Sequence, residues 1–85
     1  MFQAEMDAIA SALENVPSKA RLVQLIDHTN AQLNLGGVPA ALHYRVRGGR
    51  PKVGVIYFDI GGIPTPTQIE FAAGLRDVIE PAVLV

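Results

Sequence analysis

The apolar residues at the start of the chain recur with the period of an α-helix. They step along the sequence by four and three residues, which places them on one face of a helix: Phe2, Met6, Ile9, Leu13 and Val16. Pro17 disfavours helical geometry in the residue before it, so this helix should end near Asn15.

A second helix is expected directly afterwards. Ser18 can cap its start, and Gly36 should end it in a left-handed conformation. Its apolar side carries Leu22, Leu25, Ile26, Thr29 and Leu33. Because the connection is short, the two helices should form an antiparallel helical hairpin.

The middle of the chain changes to the alternating pattern of a β-hairpin. Two runs rich in β-branched and aromatic residues flank Gly48-Gly49, which suits a two-residue turn. This turn sets a register that pairs Arg47 with Arg50, Arg45 with Lys52, Tyr44 with Val53 and Leu42 with Val55.

Alternation divides the hairpin into two faces of different character. The first face carries Leu42, Tyr44, Val46, Val53, Val55 and Tyr57. The second face has a basic tip near the turn, consisting of His43, Arg45, Arg47, Arg50 and Lys52. Its far end is an apolar base, consisting of Ile56, Phe58 and Ile60. A strand with one solvated side should be polar at alternate positions throughout, so the apolar base should be covered by the third helix or by a second subunit.

The last third of the chain predicts one more helix, running to about Ile79. Thr67-Gln68-Ile69-Glu70 has the capping-box pattern, and Thr65 with Pro66 offers a competing, earlier start. Glu80-Pro81 should end the helix. The final residues, 82–85, are expected either to add a short strand to the hairpin or to form a hydrophobic tail.

These elements predict an α+β fold in the order α-α-β-β-α, with a possible last strand. A helical hairpin and a third helix would pack on a small antiparallel sheet within a single domain, residues 1–85. At 85 residues the core is thin, and the chain has no cysteine for disulfides or thiolate metal sites. A small domain without such links often gains core from a second copy, so we expect a homodimer.

Charge is distributed unevenly along the chain. The overall net charge of −1 argues against a protein that binds nucleic acid with its whole surface. Residues 1–40 carry −2, residues 41–60 carry +3, and residues 61–85 carry −2. Net positive charge is therefore confined to the segment that contains the hairpin.

The basic tip is the strongest candidate for a binding site. A solvated tip that only protects a sheet edge from aggregation is the first interpretation of these residues. Like charges that face each other across two strands reduce stability, however, which suggests an anionic partner: an acidic protein surface, the acidic helices of the chain's own dimer mate, or a phosphate backbone. Among the functional interpretations an acidic protein partner leads, and nucleic acid bound by the same β-ribbon is the alternative. Four cations would neutralise about 4 phosphates, so nucleic-acid binding would be weak.

Residues suited to catalysis or metal binding are scattered. Asp59 precedes two glycines at a strand end, where an Asx-type turn explains it better than a catalytic carboxylate does. His28 and His43 lie on separate elements, and neither Ser11 nor Ser18 has an obvious base. The sequence therefore predicts no enzyme, no metal site and no cofactor.

The predicted function is a small non-enzymatic interaction protein: an adaptor, inhibitor or assembly factor, a class that includes many phage and accessory proteins. The N-terminus lacks the pattern of a secretory signal, and the longest uncharged run contains asparagine, glutamine and glycine. We therefore expect a cytoplasmic protein with no membrane partner.

Overall fold

The five predicted elements are present in the predicted order. The computed structural model describes residues 1–58 and 63–84. Its elements are α1 (Phe2–Leu13), α2 (Lys19–Leu35), β1 (Ala40–Arg47), β2 (Arg50–Tyr57) and α3 (Pro66–Val83). The two strands form one antiparallel sheet, which confirms the α+β class. The α1 helix ends two residues earlier than predicted, at Leu13 rather than near Asn15.

The hairpin has the predicted turn and register. Gly48 and Gly49 have φ values of 60° and 77°, the left-handed region that side chains rarely adopt. All four predicted cross-strand pairs are observed, from Arg47 with Arg50 to Leu42 with Val55. Pro51 lies opposite Val46, at a position whose backbone faces away from β1. Proline therefore removes no hydrogen bond from the ladder.

The core lies between the first face of the hairpin and the helices. β1 packs against α2 and β2 packs against α1. The fully buried side chains are Met6, Ile9, Leu13, Leu22, Leu33, Ile79 and Thr29. Thr29 is satisfied because its hydroxyl donates to the Leu25 carbonyl oxygen at 2.7 Å.

The third helix packs mainly against the first helix and not against the strands that precede it in the sequence. α3 packs most extensively against α1, less against α2, and less against either strand. α1 likewise makes more contact with α3 than with α2, although a short connection joins α1 to α2. Among the described residues, no helix therefore packs on the second face of the hairpin.

The end of α2 corrects one prediction. Gly37, with φ of 67°, is the left-handed residue, whereas Gly36 has φ of −82°. The Val38 N–H donates to the Leu33 carbonyl at 2.9 Å and the Gly37 N–H to that of Asn34 at 3.1 Å, which completes a Schellman motif. Gly36 is needed for a different reason, because a Cβ there would lie 2.6 Å from the Phe71 ring.

The ends of α3 settle two open questions. Thr65 is the N-cap, so the earlier of the two possible starts is used: Thr65 Oγ1 accepts from the Gln68 N–H at 3.2 Å, and the Gln68 side chain accepts from the Thr65 N–H at 2.8 Å. The predicted stop at Glu80-Pro81 is wrong, since the helix continues to Val83. Residues 82 and 83, left open as part of a strand or of a hydrophobic tail, belong to this helix. A proline in the last turn removes one backbone donor, while Ile79 and Val83 still pack on the core.

Candidate functional site

Asn30, a residue of α2, fixes the β-hairpin to the helices by bonding the outer edge of β1. The Asn30 amide donates to the Leu42 carbonyl oxygen at 2.9 Å, and the Leu42 N–H donates to the Asn30 Oδ1 at 2.7 Å. Counting from the turn, the backbone of Leu42 points away from β2. Asn30 therefore bonds both backbone groups of Leu42, as a neighbouring strand would.

Glu14 binds the outer edge of β2 in a similar way. The Val53 N–H donates to Glu14 Oε2 at 2.9 Å. The two strands are thus tied to α2 and α1 at Leu42 and Val53, both of which are buried. Val46 lies closer to the turn than Leu42 and Val53, and it is exposed although it belongs to the first face. The turn end of the hairpin therefore projects beyond the helices.

His43 is the residue of the basic tip that lies next to the apolar base. It is half-buried and lies opposite Gly54, and a Cβ added at Gly54 would overlap its imidazole ring. The absence of a side chain at Gly54 therefore lets the ring lie across the sheet. This close approach explains a glycine in the middle of a strand, where it otherwise weakens the sheet.

The four cations of the basic tip lie together and are exposed. Arg45 faces Lys52 and Arg47 faces Arg50, as the sequence predicts. Within residues 1–58 and 63–84, the ion pairs found are those of Arg76, and none involves these four side chains. The tip is therefore a concentration of positive charge that the described part of the chain leaves unneutralised.

The apolar base is exposed as well. Ile56 is 47% and Phe58 51% exposed, so α3 is not the cover that was predicted as one of two alternatives; it packs against α1 and α2 instead, and a second subunit stays a prediction. Ile60, the third predicted residue of the base, lies outside the described residues. The Phe58 N–H donates to the Pro39 carbonyl at 3.0 Å, which extends the ladder by one pair and fixes the backbone of Phe58.

Tip and base form one continuous open face. From Arg50 to Phe58 the strand spans about 26 Å at about 3.3 Å per residue. Cationic side chains occupy one half and large apolar side chains the other, with His43 at the boundary. Such a surface suits a partner that offers carboxylates next to apolar side chains.

The other candidate residues do not come together into a site. His28 and Ser11 are exposed on separate helices, and Ser18 caps α2 by accepting from the Arg21 N–H at 3.3 Å. Asp59 lies outside the described residues. In the part of the chain that the structure describes, no group of three His, Asp or Glu side chains could hold a metal ion.

Three residues with structural roles were missed by sequence reasoning. Asn30 and Glu14 hold the hairpin, and buried Glu5 accepts from Arg76 at 3.0 Å through its Oε1 atom. Hydrogen bonding to Asp77 and the charge of Glu5 raise the pKa of Arg76, so it stays protonated. The signal for Asn30 was present in the sequence, because it lies four residues after Ile26 and three before Leu33, on the apolar side of α2.

Tyr57, at the end of β2, should make the free energy of unfolding depend on pH in the alkaline range. Its ring meets Phe2 edge-on, with centroids 5.9 Å apart. Burial, followed by the charge of Asp7 and a hydrogen bond to it, raises the pKa of the Tyr57 hydroxyl. A raised folded-state pKa favours the neutral hydroxyl, so its contribution is complete below about pH 10 and is lost as pH rises through the raised value.

We therefore expect the wild-type protein to lose more stability above about pH 10 than the Tyr57→Phe variant. Urea denaturation of both proteins at several pH values measures the difference. Between neutral pH and about pH 9 the difference should stay constant, which serves as the internal control. Parallel stability curves across the alkaline range would contradict the expectation.

Comparisons with known proteins leave the fold and this face as the only guides to function. Within the described residues, the helices are too short or too polar to cross a membrane. No protein-family model matches the sequence, and no match was found among curated proteins or among solved structures.

Proposed function

We propose that this chain is a non-enzymatic interaction protein, such as an adaptor, inhibitor or assembly factor, that binds an acidic protein surface through its basic tip. The observation that carries the proposal is the set of four exposed cations in two facing pairs: Arg45 with Lys52 and Arg47 with Arg50. The proposal places the protein in the cytoplasm, as a homodimer.

Electrostatics support an acidic partner. Each facing pair of cations is unfavourable in the free protein, and carboxylates placed between the pairs would relieve that repulsion. Three of the four cations are arginines, whose planar guanidinium can donate two parallel hydrogen bonds to one carboxylate. The ties at Asn30 and Glu14 hold the hairpin against the helices, which reduces the entropy lost when a partner binds.

The apolar base supports self-association. Two large apolar side chains on an open sheet face are the kind of surface that a second subunit covers. The proposed dimer surface contains Ile56 and Phe58, with Ile60 beyond the described residues. If the dimer presents the binding site, Phe58→Asp should abolish partner binding together with dimerisation.

Nucleic acid is the second candidate, because the projecting ribbon has a suitable shape. A two-stranded β-ribbon fits the major groove of duplex DNA. Four cations would neutralise about 4 phosphates, so affinity should fall roughly 100-fold between about 50 and 200 mM salt. The flanking segments, at −2 each, would repel a duplex that is evenly charged along its whole length, whereas an acidic protein surface needs carboxylates only opposite the tip.

Charge reversal at the tip tests the proposal. The probes are a fluorescent poly-glutamate peptide of about 20 residues and a duplex DNA of similar net charge, read by anisotropy. We expect Arg45→Glu combined with Arg47→Glu to weaken poly-glutamate binding at least about tenfold, because attraction becomes repulsion.

The matched control is Lys19→Glu combined with Arg21→Glu, which changes the net charge equally on exposed residues outside the tip. This control should bind nearly as the wild type does. Equal losses in both variants, or no binding of poly-glutamate by the wild type at protein concentrations where it has the single-chain mass, would contradict the proposal. Tighter binding of the duplex, with the steep salt dependence given above, would favour nucleic acid instead.

A further inference from the structure

Gly74 has no structural role in the described part of the chain. It lies in the middle of α3, is exposed, and lacks a positive φ. A Cβ added there would meet no atom within 4 Å. Glycine inside a helix destabilises it by about 1 kcal/mol relative to alanine. Its presence is explained if another surface approaches the helix backbone at this point.

The other described glycines are each explained within the chain. Three adopt left-handed backbone conformations, and two are closely approached by an aromatic ring. The left-handed residues are Gly37, Gly48 and Gly49, and the closely approached residues are Gly36 and Gly54. Gly74 alone among them lacks such a reason.

The helix face around Gly74 carries an apolar residue on one side and carboxylates on the other. Glu70, Gly74, Asp77 and Val78 recur at spacings of four, three and one, so they share one exposed side of α3. Val78 is 62% exposed. Glu80 adds a third carboxylate on the acidic side. Arg76 is the single cation among them, and it pairs with Asp77 at 3.0 Å and with Glu80 at 3.9 Å.

This face is complementary to the open face of the hairpin. The hairpin offers four cations beside two exposed apolar side chains, and α3 offers three carboxylates beside Val78 and a bare stretch of backbone. Segment charges of +3 and −2 make the contact attractive between two copies. A large side chain such as Phe58 needs an uncrowded surface, which Gly74 provides.

We propose that the open hairpin face of one copy docks on the outer face of α3 of a second copy. The apolar base lies over Gly74 and Val78, and the basic tip reaches the carboxylates of Glu70, Asp77 and Glu80. This inference rests on the proposed function and identifies the acidic surface as that of a second copy. Because the two surfaces are unlike, the contact formed twice between two copies gives a dimer, and the contact formed once between successive copies gives a ring or an open filament.

Complementary charge swaps test this contact. The hairpin variant carries Arg45→Glu with Arg47→Glu, and the helix variant carries Glu70→Lys with Asp77→Lys. Light scattering after size exclusion, over a range of concentrations, should give the single-chain mass for each variant alone. An equimolar mixture should regain the wild-type mass, since every contact in it again joins opposite charges.

Gly74→Gln provides a second test that cannot be mistaken for failure to fold. Glutamine favours a helix more than glycine does, so we expect Tm to rise. The added side chain should obstruct docking and weaken self-association about tenfold or more. A variant that is more stable yet associates less supports the inference, and one that associates as the wild type does overturns it.

The two proposals fail in different ways. If the wild type self-associates but the mixture of variants stays at the single-chain mass, the docking on α3 is overturned and the homodimer stands. A wild type that has the single-chain mass throughout, yet binds poly-glutamate through Arg45 and Arg47, overturns the docking and leaves tip binding intact. Absence of both self-association and poly-glutamate binding overturns both.

Discussion

Leu33→Ala is expected to lower the free energy of unfolding by about 3–5 kcal/mol, the range found for leucines whose removal leaves a cavity. Leu33 is 0% exposed and lies in the last turn of α2, where the helix gives way to the hairpin. Its carbonyl accepts the Val38 N–H at 2.9 Å, and its side chain joins the same core as that of Val38. A cavity here would loosen the joint between the helices and the sheet.

Leu35→Ala is the matched control for this change. Leu35 is the same residue type on the same helix, two positions away, but it is 78% exposed. Its loss should change the free energy of unfolding by less than about 0.5 kcal/mol. Urea denaturation followed by circular dichroism measures both variants. Similar losses in the two would mean that Leu33 is not part of the core.

The contrast between these two leucines shows what periodicity can predict. The apolar stripe of α2 assigns Leu33 to the core, and Leu35 falls off that stripe. The hairpin is equally accessible to sequence reasoning, because Gly48-Gly49 fixes the turn and alternation then fixes the register and both faces. These features depend on residues close together in the sequence, so local rules suffice.

Features that depend on distant residues were not accessible in this way. The sequence does not indicate that α3 packs chiefly against α1, nor that Arg76 meets Glu5, 71 residues away. The continuation of α3 through Pro81 has the same origin, because packing of Ile79 and Val83 outweighs one lost hydrogen bond. Tertiary contacts here overrule a local stop signal.

The candidate site likewise has one part that local sequence rules predict and one part that they do not. Alternation predicts that the cations of the basic tip share one face, and they do. It also predicts that Ile56 and Phe58 are covered by α3 or by a second subunit, and α3 leaves both exposed. Alternation does not distinguish between these two covers. The apolar pattern of the strand is the same whether the cover is a helix of the same chain or another molecule. Because α3 does not cover this face, a second copy is the predicted cover.

Asn30→Ala is the change expected to separate the hairpin from the helices, with a loss of about 2–4 kcal/mol in the free energy of unfolding. Alanine would leave the Leu42 N–H and carbonyl without their partners at a part-buried edge, and each unsatisfied group costs about 1–3 kcal/mol. The two bonds between Asn30 and Leu42 also fix the orientation of the basic tip. Poly-glutamate binding by Asn30→Ala should therefore weaken although no cation is removed.

Asn34→Ala is the control for Asn30→Ala, because Asn34 is an exposed asparagine one turn further along α2. It should alter the free energy of unfolding by less than about 0.5 kcal/mol and leave binding unchanged. Hydrogen exchange identifies the mechanism: in Asn30→Ala, the Leu42 amide should lose protection more than the amides in the middle of α1. Equal loss of protection throughout would mean that Asn30 stabilises the whole domain and does not specifically tie the hairpin down. The basic tip would then owe its position to core packing alone, since the Glu14 bond secures only one backbone donor of β2.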